Sequence, residues 1–515
     1  MVLSGQQSPC EVLVSELLQL KRNPYTYHGM TVSICPTCTR SVPASIRERD
    51  GKMYMAKTCP EHGRFNTIIA SDAAWYKEAL TYRVPGLMPR KHQTSTEKGC
   101  PQDCGVCPEH EQVNALPVIE ITDLCNLECP VCYADNKGKY MMTHEEMKRC
   151  LDTLEASGSP VDAIVMVGGE PTAHPRMIEL IEQCYERSFV SRVVVATNGI
   201  LIGTRKDLAR RMADVGAYVL FQLDSLDPSK NTVMRGNEMT QRRDDALGML
   251  QIHDIDTTLM AVAVKGLNDD EMGALTQFAM DSDFLSGIDI ATIAYTGAGG
   301  SQIGFDPMNR MTGTDILTDV VAQTGFLQKS DFVPMLHPHP QCGAVSYVLC
   351  LDDGTYVPLI RLGDRDAYRA AMMKSFIVVP DAEHEDYMAH VLDHVWSHQD
   401  EYENGEVILR TLKKAADEVF PCDVDLEERE RARRVEKYIK NIYLHNYMDA
   451  HSLDAGALRQ CSCMQVLPDG RMIPDCSYRT IYRATDERFN QRAIGHGNDG
   501  LRHQLVQLSP RPASS

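Results

Sequence analysis

A chain of 515 residues has room for roughly two to four domains and a sizeable core. Its 43% hydrophobic and 24% charged content is ordinary for a soluble globular protein. A formal net charge of −19 argues against a nucleic-acid polyanion as the main partner, while leaving room for a local basic patch.

No apolar run reaches about 18 residues, so no membrane span is expected. The opening stretch MVLSGQQSPCEVLVSELLQL has no basic n-region and no uninterrupted apolar segment, so it does not read as a secretion signal. Val12, Leu13, Leu17, Leu18 and Leu20 predict one short amphipathic helix packed on the core. With no export signal, 18 cysteines point to metal and not to disulfides. Only Cys10, Cys150, Cys184, Cys350 and Cys422 stand outside four groups. Cys150 and Cys184 fall on apolar faces of predicted helices, where a thiol acts as a small hydrophobe.

The first group lies at 31–65. Cys35 and Cys38 form C-x2-C, and Cys59-Pro-Glu-His62-Gly follows a predicted hairpin turning at Asp50-Gly51. This is the spacing of a zinc ribbon or a rubredoxin-like mononuclear iron site, with His62 as a candidate fourth ligand. The second group, Cys100, Cys104 and Cys107, has the spacing C-x3-C-x2-C. The third, Cys125, Cys129 and Cys132, repeats it. Three such thiolates can hold three corners of a 4Fe–4S cube and leave one iron open to a small molecule. Spacing alone does not say which copy is the open one, but context does. The first copy follows the polar KHQTSTEKG, whereas the second ends an apolar strand and opens a βα series.

Strands are predicted at 117–122, 161–167, 192–198, 217–223, 257–264 and 287–294, near-continuously apolar as in parallel sheets covered on both faces. Between them, Thr143 to Glu146 forms a capping box ahead of Met147, Cys150, Leu151 and Leu154. Met177, Ile178, Ile181, Cys184 and Tyr185 make a second helical stripe. Six βα repeats predict an α/β fold, a partial (β/α)6 or TIM-like barrel, whose chemistry sits at the C-terminal ends of the strands. There lie the Cys125–Cys132 loop, Gly168-Gly169-Glu170-Pro171, Asn198-Gly199, and Gln222 with Asp224.

Past residue 300 the regularity fails. GAGGSQIG at 297–304 reads as a loop, and AVSYVLCLDDGTYVPL as a hairpin turning at Asp353-Gly354. Residues 383–460 read as charged helices, including ERERARRVEKYIKNIYLHNYM. Cys461, Cys463 and Cys476 bracket another hairpin, and LSPRPASS is expected to be disordered. The expected division is a ribbon-like domain at 1–90, an auxiliary cluster segment at 91–116, a core barrel at 117–300 and a C-terminal auxiliary-cluster domain at 301–515.

C-x3-C-x2-C after the first strand with GGEP after the second resembles the radical S-adenosylmethionine (SAM) superfamily. The whole cysteine plan resembles the archaeal radical SAM group that contains tetraether lipid synthase and dihydropterin methylases. The resemblance implies a SAM-binding cluster on Cys125, Cys129 and Cys132, with Gly168, Gly169, Glu170, Asn198, Gln222 and Asp224 around the cofactor. It implies a mononuclear iron or zinc on Cys35, Cys38, Cys59 and His62. It also implies auxiliary clusters on Cys100, Cys104 and Cys107 and on Cys461, Cys463 and Cys476, with Cys342 favoured as the fourth ligand of the latter. The activity implied first is carbon–carbon coupling of isoprenoid lipid chains; the alternative is a methylase or other modifier of a pterin or another soluble substrate. A non-catalytic iron–sulfur carrier is the reading from another class, and GGEP speaks against it. Implied partners are a lipid or small-molecule substrate and an electron donor such as ferredoxin or flavodoxin. The implied location is cytoplasmic, with room for peripheral membrane contact.

Overall fold

The computed structural model describes residues 24–83, 86–134, 140–297, 299–335, 338–373 and 375–489. The helix expected around Val12–Leu20 and the C-terminal tail lie outside them.

At the N-terminal end, β1 (Thr26–Ile34), β2 (Ser41–Arg49), β3 (Lys52–Cys59) and β4 (Gly63–Ala70) form an antiparallel meander. The β2–β3 hairpin turns at Asp50-Gly51 as expected, both residues having positive φ (52° and 71°). That conformation matches the twist of the strands it joins.

The core strands are β5 (Leu116–Thr122), β6 (Ile164–Gly168), β7 (Val193–Thr197), β8 (Tyr218–Gln222), β9 (Thr257–Ala263) and β10 (Leu285–Thr292). They pair in parallel in chain order, so the six predicted repeats are present. Helices α1 (His144–Ser157) and α2 (Met177–Tyr185) carry the two predicted stripes, with Met147, Cys150, Leu151, Leu154, Ile181 and Cys184 buried. The capping box at Thr143 forms as predicted.

The sheet does not stop at residue 300. It gains β14 (Ile439–His445), parallel to β10, and then antiparallel β12 (Gly343–Cys350), which also pairs with the short β11 (Val333–Pro334) and β13 (Tyr356–Pro358). At the other edge β15 (Cys463–Val466) runs parallel to β5 and pairs with antiparallel β16 (Met472–Pro474). Among the described residues the result is an open 12-stranded sheet and not a closed barrel.

Two expectations fail here. The segment read as one charged helix is helical only over Glu428–Val435, and its remainder is β14. In IKNIYLH the apolar residues fit both a period near 3.6 and a period of 2, and pairing with β10 and β12 decides for the strand. Within 297–304, Gly299–Gln302 is a helical turn. Helices Ala382–Ser397 and Gly405–Val419 form as expected. With Met372 and Phe376 they close the lower part of the sheet's concave face.

Candidate active site

The cavity at the C-terminal ends of the core strands measures about 470 Å³, within the range of small-molecule sites. Cys125, Cys129 and Cys132 line it together with Gly168, Gly169, Glu170, Asn198 and Gln222. The tertiary fold therefore brings together three strand ends and the cysteine loop. Burial first, and then the neighbouring thiols, push Cys125 well above its usual range; burial also raises Cys129, against the pull of Arg235. Thiols crowded in this way become thiolates side by side only with a cation among them.

Both glycines line this cavity, and the fold itself also requires them. A Cβ on Gly168 (φ +149°) would lie 2.0 Å from the Thr122 carbonyl oxygen, and one on Gly169 would lie 2.4 Å from that of Leu124. The Gly169 and Glu170 N–H groups donate to those two carbonyls, each at 2.8 Å. The turn is thus laid directly against the cysteine loop, and close backbone approach demands glycine at both positions.

Glu170 is 1% exposed. Its Oε1 accepts from Thr172 N–H (3.1 Å), Thr172 Oγ1 (2.5 Å) and Thr197 Oγ1 (2.6 Å), and its Oε2 accepts from Asn198 N–H (2.9 Å). Burial still raises its carboxyl above the ordinary value. It ties the ends of β6 and β7 together, so its main work is positional. Asn198 donates Nδ2 to Asn126 Oδ1 (2.8 Å), and its own Oδ1 caps Ile200 N–H (3.1 Å). Gln222 gives Nε2 to Asp224 (2.7 Å) and to Met260 O (3.1 Å).

Asp224 is the exception to the sequence reading, because it does not line the cavity. Its Oδ1 accepts from Gln222 and Val262 N–H (2.9 Å), and its Oδ2 pairs with Arg235. Arg235 is the residue that sequence reasoning missed. It lines the cavity, and its guanidinium bonds the Cys129 thiol. Its only local signal is its place as the last helical residue before the Gly236 C-cap. Asn126 Nδ2, buried in the cysteine loop without a partner, and Tyr447 of the β14 end also went unread.

The described residues fit a cluster with one open position and a polar small molecule beside it. The three cysteines supply the sulfurs, Gln222 lines the cavity beside them, and Asn126 Nδ2 has no partner among the described residues.

In the N-terminal knuckle the ligand atoms of Cys35, Cys38, Cys59 and His62 all lie within 4.8 Å of one another, close enough for one tetrahedral ion. Burial pushes the Cys59 thiol up, but the Glu61 backbone N–H and His62 bring it down to about 6. Cys100 and Cys104 are hydrogen-bonded, Cys107 lies in their field, and Ser477 Oγ donates to Cys104 Sγ at 3.3 Å. At the other end the fold brings Cys342 to Cys461, Cys463 and Cys476, where each thiol feels the charge of at least one other and burial raises all four.

A family model of the radical SAM superfamily matches residues 119–279, over the strands and loops just described. The chain contains a radical SAM domain. Residues 27–71 match an HMPTM N-terminal zinc ribbon domain. The chain is 29% identical to 7,8-dihydro-6-hydroxymethylpterin dimethyltransferase of Methanocaldococcus jannaschii over 89% of its length and 95% of the relative's. It is 29% identical to GTP 3′,8-cyclase of Alkaliphilus oremlandii over 32% of this chain and 52% of that one. It is 38% identical to Fe-coproporphyrin III synthase of Methanosarcina barkeri over 21% of this chain and 28% of that one. SAM and a 4Fe–4S cluster are the cofactors of the radical SAM domain, and the ribbon with its cysteine set indicates a further metal site. A radical SAM enzyme also needs an electron donor. No helix among the described residues is long and apolar enough to cross a membrane.

Proposed function

We propose that this radical SAM enzyme is a methyltransferase acting on a small nitrogen-heteroaromatic substrate of the pterin class. The observation that carries the reading is the similarity to the pterin dimethyltransferase over 89% of the chain, far more than the core alone. When bound, a reduced cluster with SAM on its open iron supplies a 5′-deoxyadenosyl radical, and the protein orients and shields it. Cys125, Cys129 and Cys132 hold that cluster. Gln222 and Asn126 face the cofactor's polar groups, and Glu170 and Asn198 keep the strand ends in register around it. Arg235, braced by Asp224, balances the charge at Cys129. Cys35, Cys38, Cys59 and His62 hold a mononuclear iron or zinc. Cys100, Cys104 and Cys107 hold one auxiliary cluster, and Cys342, Cys461, Cys463 and Cys476 a second. A ferredoxin or flavodoxin serves as the donor.

Coupling of isoprenoid lipid chains, at a membrane surface, is the second reading; the apolar residues on the sheet's concave face favour it. Products separate the two. Anaerobically reconstituted enzyme with SAM and dithionite should release 5′-deoxyadenosine, and with 6-hydroxymethyl-7,8-dihydropterin it should yield a methylated pterin. A biphytanyl product from diether lipids, with no methylated pterin at full cluster loading, would overturn the methyltransferase reading. Cys125→Ala should remove about four irons per chain, on cluster stoichiometry, and reduce 5′-deoxyadenosine to background.

A further inference from the structure

Below the cluster cavity, on the same concave face, lies a second cavity of about 170 Å³. Leu220 lines both. The pleat explains the stacking, since inward residues recur at every second position along a strand. Val165 lines the lower chamber and Val167 the cluster cavity; Val194 and Ala196, and Thr258 and Met260, repeat the pattern. On β10 and β14 the step beneath the cluster cavity is polar. Asp289 stands below Ala291, and His445 below Tyr447.

The His445 ring is fixed in place. Its Nδ1 meets Asp289 Oδ1 at 2.6 Å, and it stacks on Tyr443 with a 5° interplanar angle. Tyr443 is in turn held by a 2.9 Å hydroxyl contact with Tyr347. No described residue takes up Nε2. Burial works against the imidazolium, yet Asp289 outweighs it and raises the ring's pKa. A buried charge pair is poor stabilisation by itself, so this one calls for a partner in the chamber.

The two walls differ. One carries Phe376, Phe420 and Met388. The other carries a line of hydrogen-bonding groups: Asp289 with His445, the Thr258–Ser286 hydroxyl pair at 2.7 Å, and Asn441, whose buried Oδ1 has no partner. A hydrocarbon chain would leave His445 Nε2 and Asn441 Oδ1 unmatched. A planar heteroaromatic ring satisfies both walls, its face on the aromatic side and its edge on the polar side.

We propose that the lower chamber is the substrate-ring site and that His445, with Asp289 as counter-ion, orients the substrate by donating Nε2–H to a ring carbonyl or ring nitrogen at the neck between the cavities. This rests on the radical SAM methyltransferase reading above, and it names the residue that sets substrate class. The carbon to be attacked then projects upward past Leu220 into the cluster cavity.

Fluorescence titration of the anaerobic full-length protein with 6-hydroxymethylpterin, and separately with the hydrocarbon probe diphenylhexatriene, tests the proposal. His445→Leu should weaken pterin binding at least tenfold, while His445→Gln, which keeps a donor, should stay within about threefold of the wild type. Phe376→Trp, narrowing the chamber from the opposite wall, should also weaken it. Iron content and melting temperature should match the wild type in all three variants, which separates a lost contact from a misfolded protein. The proposal is overturned if His445→Leu binds the pterin within twofold of the wild type. It is overturned equally if the wild type binds diphenylhexatriene and not the pterin, or binds neither. Absence of 5′-deoxyadenosine from the wild type would defeat the radical reading instead, and the binding titration would still judge His445.

Discussion

Glu120 illustrates how much rests on single residues. It sits on the first core strand with no exposure, paired with Arg479 and Arg483 from the segment after the last cysteine. Arg479 also lies 4.3 Å from the ring centroid of Tyr133, next to Cys132, and pairs with Asp475, next to Cys476. One buried ionic knot therefore ties the Cys125–Cys132 loop to the C-terminal cysteine hairpin. Glu120→Gln leaves two buried guanidiniums short of charge and should cost about 3–5 kcal/mol, read by denaturant unfolding of the anaerobic protein. Burial raises the Glu120 carboxyl, but Arg479, Arg483 and Arg488 together hold it below its ordinary value. A depressed folded pKa means that the stabilisation is present above the unfolded glutamate value and is lost as pH falls through the folded one. The melting temperature should accordingly drop on acidification below the ordinary glutamate range, and this component should be missing in Glu120→Gln.

At the scale of elements, the GGEP turn is the joint between β6 and the cysteine loop. Gly168→Ala places a methyl against the Thr122 carbonyl at 2.0 Å. The expected penalty is roughly 1–3 kcal/mol of backbone strain, with iron lost from the loop it displaces; melting and iron analysis check both. Gly248, in helix Thr240–Ile252, is the converse case, since a Cβ there meets nothing within 4 Å. Gly248→Ala should raise stability by about 0.5–1 kcal/mol and leave iron content unchanged. The core strands were legible because each is a short apolar run between turn residues. Strand β14 was not, because its seven residues suit either period and only its neighbours choose.

Across the whole molecule, the ribbon is bound to the body and does not hang from it. Lys57 Nζ, buried with its pKa lowered to about 8, donates to Ser33 Oγ (2.9 Å) and to Ala450 O (2.7 Å). Ile34, beside Cys35, packs in one cluster with Cys100 and Cys476, so three cysteine groups adjoin. Cys59→Ser should release the knuckle's metal and open residues 24–70 to protease, with substrate-free 5′-deoxyadenosine formation retained. Metal analysis and limited proteolysis read this. Segments on both sides of residue 300 share one sheet, so the expected boundary there marks a change of pattern and not a break in the fold.

The sequence by itself determined the six βα repeats, the cysteine groups and the superfamily, because each is local: a period, a spacing or a turn. The family resemblance gave Cys342 to the C-terminal hairpin as an expectation. Only the tertiary structure decided that Asp224 braces Arg235, that the glycines serve the cysteine loop, and that His445 faces a chamber. These depend on strands far apart in the chain pairing in one register, and such pairing leaves no mark on the local pattern of either strand.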